Sequence, residues 1–172
     1  LGHFILAMRE WYQAELAGRL ENLRQSHQDL TDALARSETI MAERELAERR
    51  LREGEATLRK IFDAAPDDIA IVRVSDGATL EVNREFLKTG YTREEVLGVS
   101  ARSLGRWADP QRRREIVREL REHGTVRNFE ADLRAKNGRL VPSLVSATLV
   151  ELGGVQCVIA MSRDITELKK IQ

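Results

Sequence analysis

Val155-Gln156-Cys157-Val158-Ile159-Ala160-Met161-Ser162-Arg163-Asp164-Ile165-Thr166-Glu167-Leu168-Lys169 opens as an apolar run too continuous for a strand with one wet face. A strand buried on both sides reads this way, which predicts a central position in its sheet. At Asp164 the pattern changes. Asp164 suits a helix N-cap, and Glu167 stands three residues on, the spacing of a capping box. Ile165, Leu168 and Ile171 then recur at helical spacing. The stretch therefore predicts a central strand running straight into an outgoing helix, a junction through which strain in the sheet would leave the domain.

Upstream of this stretch, Gly153-Gly154 turns the chain, and Leu140–Glu151 reads as a long strand with Val141, Val145, Ala147 and Leu149 on one face. Pro142 favours a sheet edge or a strand start. Asn137-Gly138 is a hairpin turn, which makes Val126–Arg134 the preceding strand, with Phe129, Ala131 and Leu133 inward. Leu140 and Leu144 then point to the outer face with Val158 or Ile159, and such a face needs a cover.

Asp109-Pro110 starts a helix that runs to His123 and ends at Gly124, with Ile116 and Leu120 inward. Arg112, Arg113 and Arg114 interleave with Glu115, Glu119 and Glu122, which predicts a solvated, salt-bridged face rather than an anion site. Asn83 and Thr92 cap two short helices that Gly90 and Gly98 stop. Before them, Ile69–Val74 and Ala78–Val82 flank an Asp76-Gly77 turn. Five strands with a helical insertion after the second make an α+β domain over residues 63–164.

Residues 1–62 contain no proline. Leu16, Leu20, Leu23, His27, Leu30, Leu34, Ser37, Met41, Arg44, Glu48, Leu51, Glu55, Leu58 and Phe62 alternate by four and three, a heptad seam that predicts a parallel coiled-coil homodimer. The seam weakens through 37–55, where Ile40, Ala47, Leu51, Leu58 and Ile61 form a rival stripe and Gly54 lowers helix propensity. Two registers over this section would carry a signal; a merely weak seam is the alternative. His27 is read as a polar seam residue, since Ser26-His27-Gln28-Asp29-Leu30 departs from a phosphoacceptor box at Gln28 and lacks the following Thr-Pro. Residues 165–172 begin an output helix.

Lys and Arg together number 28, as do Asp and Glu, so the formal net charge is zero. This argues against nucleic acid held by phosphate contacts. The single cysteine fits a reducing compartment, and a cytoplasmic location is expected. No apolar run approaches the length of a membrane span. The chain starts without Met and stops inside a helical pattern, which is the expectation for an excised piece of a longer protein.

With these pieces in order, residues 58–169 resemble a PAS domain, the sensory module of bacterial signalling proteins. The resemblance rests on Ile61-Phe62 before Pro66, Asn83-Arg84-Glu85-Phe86, Gly90-Tyr91-Thr92, Glu94-Glu95-Val96-Leu97-Gly98, Asn137-Gly138 and Arg163-Asp164-Ile165-Thr166-Glu167. It implies a five-stranded antiparallel sheet of order 2-1-5-4-3, a small cavity between the sheet and the short helices, a dimer, and a signal-relay junction at Asp164, Ile165, Thr166 and Glu167. Candidate cavity residues are Ile71, Phe86, Leu87, Tyr91, Leu104, Trp107, Phe129 and Val145.

No cofactor is expected. Flavin-binding members carry a reactive cysteine where this chain has Ala101-Arg102-Ser103-Leu104, and haem-binding members carry a histidine in the helix that here spans 109–122. His3, His27 and His123 are scattered, so no metal site is expected. An unknown small ligand fits the resemblance. The fragment has no catalytic constellation. The expected effector follows Gln172 in the same chain, a histidine kinase first and a cyclic-dinucleotide synthase or phosphodiesterase second; a non-sensing dimerisation spacer is the other class of reading.

Overall fold

The computed structural model describes residues 1–171. Helix α1 (Gly2–Ala64) is continuous, including through Gly54. Among its described residues none is buried, and the seam leucines Leu16, Leu20, Leu23, Leu30, Leu34, Leu51 and Leu58 with Met41 are all exposed. The chain divides into two units, Leu1–Glu55 and the part from Ala56 onward. The division lies upstream of the expected boundary at 62/63, because the last turns of α1 bond into the sheet unit. Phe62 gives its carbonyl to Asn83, Arg59 pairs with Glu81, and the Asp63 carboxylate accepts the Arg84 N–H.

The second unit contains β1 (Asp68–Arg73), β2 (Thr79–Val82), α2 (Arg84–Leu87), α3 (Arg93–Val96), α4 (Pro110–His123), β3 (Thr125–Arg134), β4 (Leu140–Leu152), β5 (Val155–Asp164) and α5 (Thr166–Ile171). The strands form one antiparallel sheet of order β2-β1-β5-β4-β3. β5 is central, paired with β1 on one edge and β4 on the other, as its apolar run predicts.

Caps and turns follow local sequence. The Asn83 and Asp109 side chains accept the Phe86 and Gln111 N–H groups, and Thr92 with Glu95 forms a capping box. Gly124 ends α4 at φ 75°, a left-handed conformation that costs glycine nothing. Pro142 lies near the start of an interior strand. Its carbonyl accepts the Ile165 N–H where β5 has just ended, so its missing N–H costs the ladder little.

Pairing parity sorts the two faces. Ala70, Val72, Leu133, Val145, Ala147, Ala160 and Ser162 face the helices. Leu144, Ile159 and Met161 share the opposite face, which settles the choice between Val158 and Ile159 in favour of Ile159. β3 carries an irregularity that its sequence pattern does not announce. Three steps along it, Val126 to Phe129, oppose two along β4, Ala147 to Val145. Asn128 takes the extra position at φ 53° and donates its N–H to Ser146 Oγ.

Candidate functional site

Between the sheet and the short helices lies a cavity of about 80 Å³. Its floor is Ala70 and Val72 of β1, Thr79 of β2, Leu133, Val145, Ala160 and Ser162; its roof is Phe86 of α2 with Ala101, Leu104, Arg106 and Trp107. Of the eight expected residues, Phe86, Leu104, Trp107 and Val145 line it. Leu87 and Tyr91 pack behind Phe86, where the Tyr91 hydroxyl donates to the Leu104 carbonyl at 3.2 Å. Phe129 packs behind Trp107, their ring centroids 6.5 Å apart.

Ile71 must be corrected. It pairs with Ile159 and Glu81, and parity puts it on the opposite face of the sheet. Ile69-Ala70-Ile71-Val72 is apolar at every position, so alternation gave no phase from which to choose the inward pair.

An ion pair invisible to the sequence reading stands in the cavity wall. Arg106 Nη2 donates to Asp68 Oδ2 at 2.8 Å, and both side chains are 12% exposed. The guanidinium carbon sits 4.4 Å from the Phe86 ring centroid, a cation–π distance. Arg106 Nε is buried and has no partner among the described residues. The same pair borders an adjoining polar cleft of about 220 Å³ that reaches Pro66, Ser143, Ser162 and Asp164. Thus one cleft touches both the start of the sheet unit and its final strand.

At the junction, β5 gives way to α5 with one residue, Ile165, between them. Ile165 is 6% exposed, and its N–H is held by Pro142. Asp164 Oδ1 accepts the Thr166 N–H at 2.8 Å. Among the described residues no bond from the Asp164 N–H to Glu167 completes the expected capping box; α5 begins only at Thr166, and the Glu167 carboxylate pairs with Lys170. Arg163 forks onto Asp67 at 3.0 and 2.9 Å, and these bonds raise its pKa. Lys169 pairs with Glu130, which raises the lysine's pKa. The sheet therefore grips the outgoing helix at two side chains, Ile165 and Lys169.

A family model described as a PAS domain matches residues 66–167. The chain is a member of the PAS family. Over 127 residues this PAS chain is 35% identical to the methyl sulfide methyltransferase-associated sensor of Methanosarcina acetivorans, covering 71% of the chain but only 12% of that relative's length. The crystal structure of a PAS domain of an HTR-like protein from Haloarcula marismortui superposes with TM-score 0.58 at 28% identity, covering 70% of this chain and 99% of that one. A PAS domain from a two-component sensor histidine kinase shares the fold at TM-score 0.55 and 18% identity, covering 66% and 97%. So does the LOV protein of Rhodobacter sphaeroides, at TM-score 0.54 and 19% identity, covering 66% and 68%.

No cysteine lines this PAS cavity. Cys157, the one cysteine, is fully buried and pairs with Arg73 and Val150, on the face away from the cavity. His123, at the end of α4, is exposed and faces its own helix through the Glu119 carbonyl. Among the described residues no group of His, Cys, Asp or Glu could hold a metal ion, and no helix is long and apolar enough to cross a membrane.

Proposed function

We propose that this PAS domain is the sensory and relay module of a homodimeric signalling protein whose effector follows it in the same chain, a histidine kinase being the first expectation. The observation that carries the reading is the position of β5. The strand bordering both the cavity and the polar cleft is also the strand that becomes α5 after a single residue. A change of occupancy at Ser162 or Asp164 then acts on backbone continuous with the output helix. Dimerisation is supported by the exposed seam of α1 at Leu16, Leu20, Leu23, Leu30, Leu34, Met41, Leu51 and Leu58, which a partner helix would bury. The exposed Met161 and Leu140 of the outer sheet face would be covered by the second copy.

The non-sensing spacer is favoured by one observation, the small volume of the cavity. Sedimentation equilibrium of the chain, alone and as Leu20→Asp/Leu23→Asp, tests the relay reading first. A dimer that the double variant converts to monomer is expected. A monomeric parent chain at micromolar concentration overturns the proposal. Exchange of the α5 amides, with the cavity filled by Ala160→Leu, then separates relay from spacer: altered exchange supports relay, and unchanged exchange supports the spacer.

A further inference from the structure

Among the described residues, Arg112 is the one α4 arginine that forms the salt bridge its sequence predicts. At 100° per residue the helix sorts the interleaved charges. Arg113, Arg114, Arg118 and Arg121 fall with Val117 inside one wedge of roughly 140°. Glu115, Glu119 and Glu122 fall on the adjoining side, and Ile116 and Leu120 turn inward. Arg112 pairs with Glu115 and reaches the Glu130 carbonyl. The guanidinium groups of Arg113, Arg114, Arg118 and Arg121, together with that of Arg102, have no carboxylate partner among the described residues.

A groove and an open patch run along this wedge and share Arg113 and Arg114. The first, about 340 Å³, lies between the 101–107 loop and the first turn of α4. Arg102, Arg106, Arg113 and Arg114 line it beside Trp107 and Pro110, with no acidic residue. The second is an open surface of α4 itself, which continues past Val117, Arg118 and Arg121 and meets its one acid, Glu122, at the end. Arg106 is committed to Asp68, but the others hold like charge together. Burial, and then the charge of Arg102, push the Arg113 pKa below its usual range.

We propose that this arginine wedge of α4 is a docking surface for an acidic segment of a partner protein. Arg113 to Arg121 span roughly 12 Å along the helix, so a small anion would engage one end and leave the rest unpaired. A nucleic acid would bring phosphates against Glu115, Glu119 and Glu122 on a chain of zero net charge. A peptide carrying both carboxylates and apolar side chains matches the whole surface. Its carboxylates meet planar guanidinium forks, and its apolar groups meet Trp107, Pro110 and Val117. This inference does not depend on the relay proposed above.

The test uses the intact chain and a fluorescent peptide that alternates glutamate and leucine, three helical turns long, followed by anisotropy. Arg114→Glu/Arg118→Glu changes two exposed residues, and its fold is checked by circular dichroism. Arg49→Glu/Arg50→Glu makes the same charge change on α1 as the control. The expected result is binding that weakens with salt, is lost at least about ten-fold in the α4 variant, and is unchanged in the control. No binding by the parent chain, equal loss in both variants, or tighter binding of pyrophosphate or single-stranded RNA than of the peptide overturns the proposal.

Discussion

The side-chain amide of Asn83 donates to the carbonyl of Phe62 at 3.2 Å, tying the end of α1 to the loop that starts α2. Asn83 is wholly buried and spends its full capacity. Its Nδ2 also donates to the Asp67 carbonyl at 3.0 Å, while Oδ1 accepts the Ile69 and Phe86 N–H groups. Asn83→Asp keeps both accepted bonds but turns an oxygen onto two carbonyls in a buried site. The expected cost is about 3 kcal/mol, read by urea unfolding. A loss below about 1 kcal/mol would mean that the bridge contributes little.

Arg106 and Asp68 are best judged together. Arg106→Met leaves the Asp68 carboxylate shielded and unpaired, and removes the cation over Phe86. A loss of about 2–3 kcal/mol is expected. Arg106→Met/Asp68→Leu should recover much of it, since two apolar side chains then complete an already apolar cavity. Thermal unfolding of the four members of this cycle gives the coupling. If the double variant is as unstable as the sum of the singles, the pair is not a unit.

The central place of β5 was legible because it carries apolar residues on both faces, and Asn137-Gly138, Gly153-Gly154 and Asp76-Gly77 fix the hairpins; the full strand order followed only from the resemblance to PAS domains. The cavity was legible only in part. Phe86, Leu104, Trp107 and Val145 stand out as large apolar residues in elements that must meet. Ile71 was misplaced because its strand lacks alternation. Arg106 and Asp68 are separated by 38 positions, and nothing local marks either as a partner of the other. Glu167 and the α4 arginines share a different cause. Spacing states which pairings are possible, but α5 begins at Thr166, one residue later than a helix capped by Asp164 would. The helix also rotated the interleaved charges of α4 onto separate sides.

Acid should weaken the β1–β2 turn only below about pH 4. The fork from Arg73, with the Ala78 N–H, holds the Asp76 carboxyl at about 2 against an ordinary 3.8. A depressed folded pKa adds stability that is present above the unfolded value and is lost as pH falls through the folded one. The contribution is therefore whole above pH 4 and disappears between about pH 4 and 2. Asp76 is exposed, so the effect is small and screened by salt. Asp76→Asn should flatten the stability curve across that window and leave it unchanged near neutrality. An unaltered slope in urea titrations across the window would remove Asp76 as a contributor.

Ile165 is where the relay is most open to attack. α5 is described over Thr166–Ile171. Its hold on the sheet consists of the Ile165 side chain, the Ile165 N–H on Pro142 and the Lys169–Glu130 pair. Ile165→Ala keeps the backbone bond and removes the apolar anchor, at an expected cost of about 2 kcal/mol. Lys169→Ala removes an exposed ion pair and should change stability little. Hydrogen exchange separates local from global effects. With Ile165→Ala the α5 amides should exchange faster, while those of β5 at 157–162, bonded on both edges, stay protected. Should β5 lose protection in step with α5, the helix and the strand open as one body, and Ile165 is then a core residue rather than the hinge of an output.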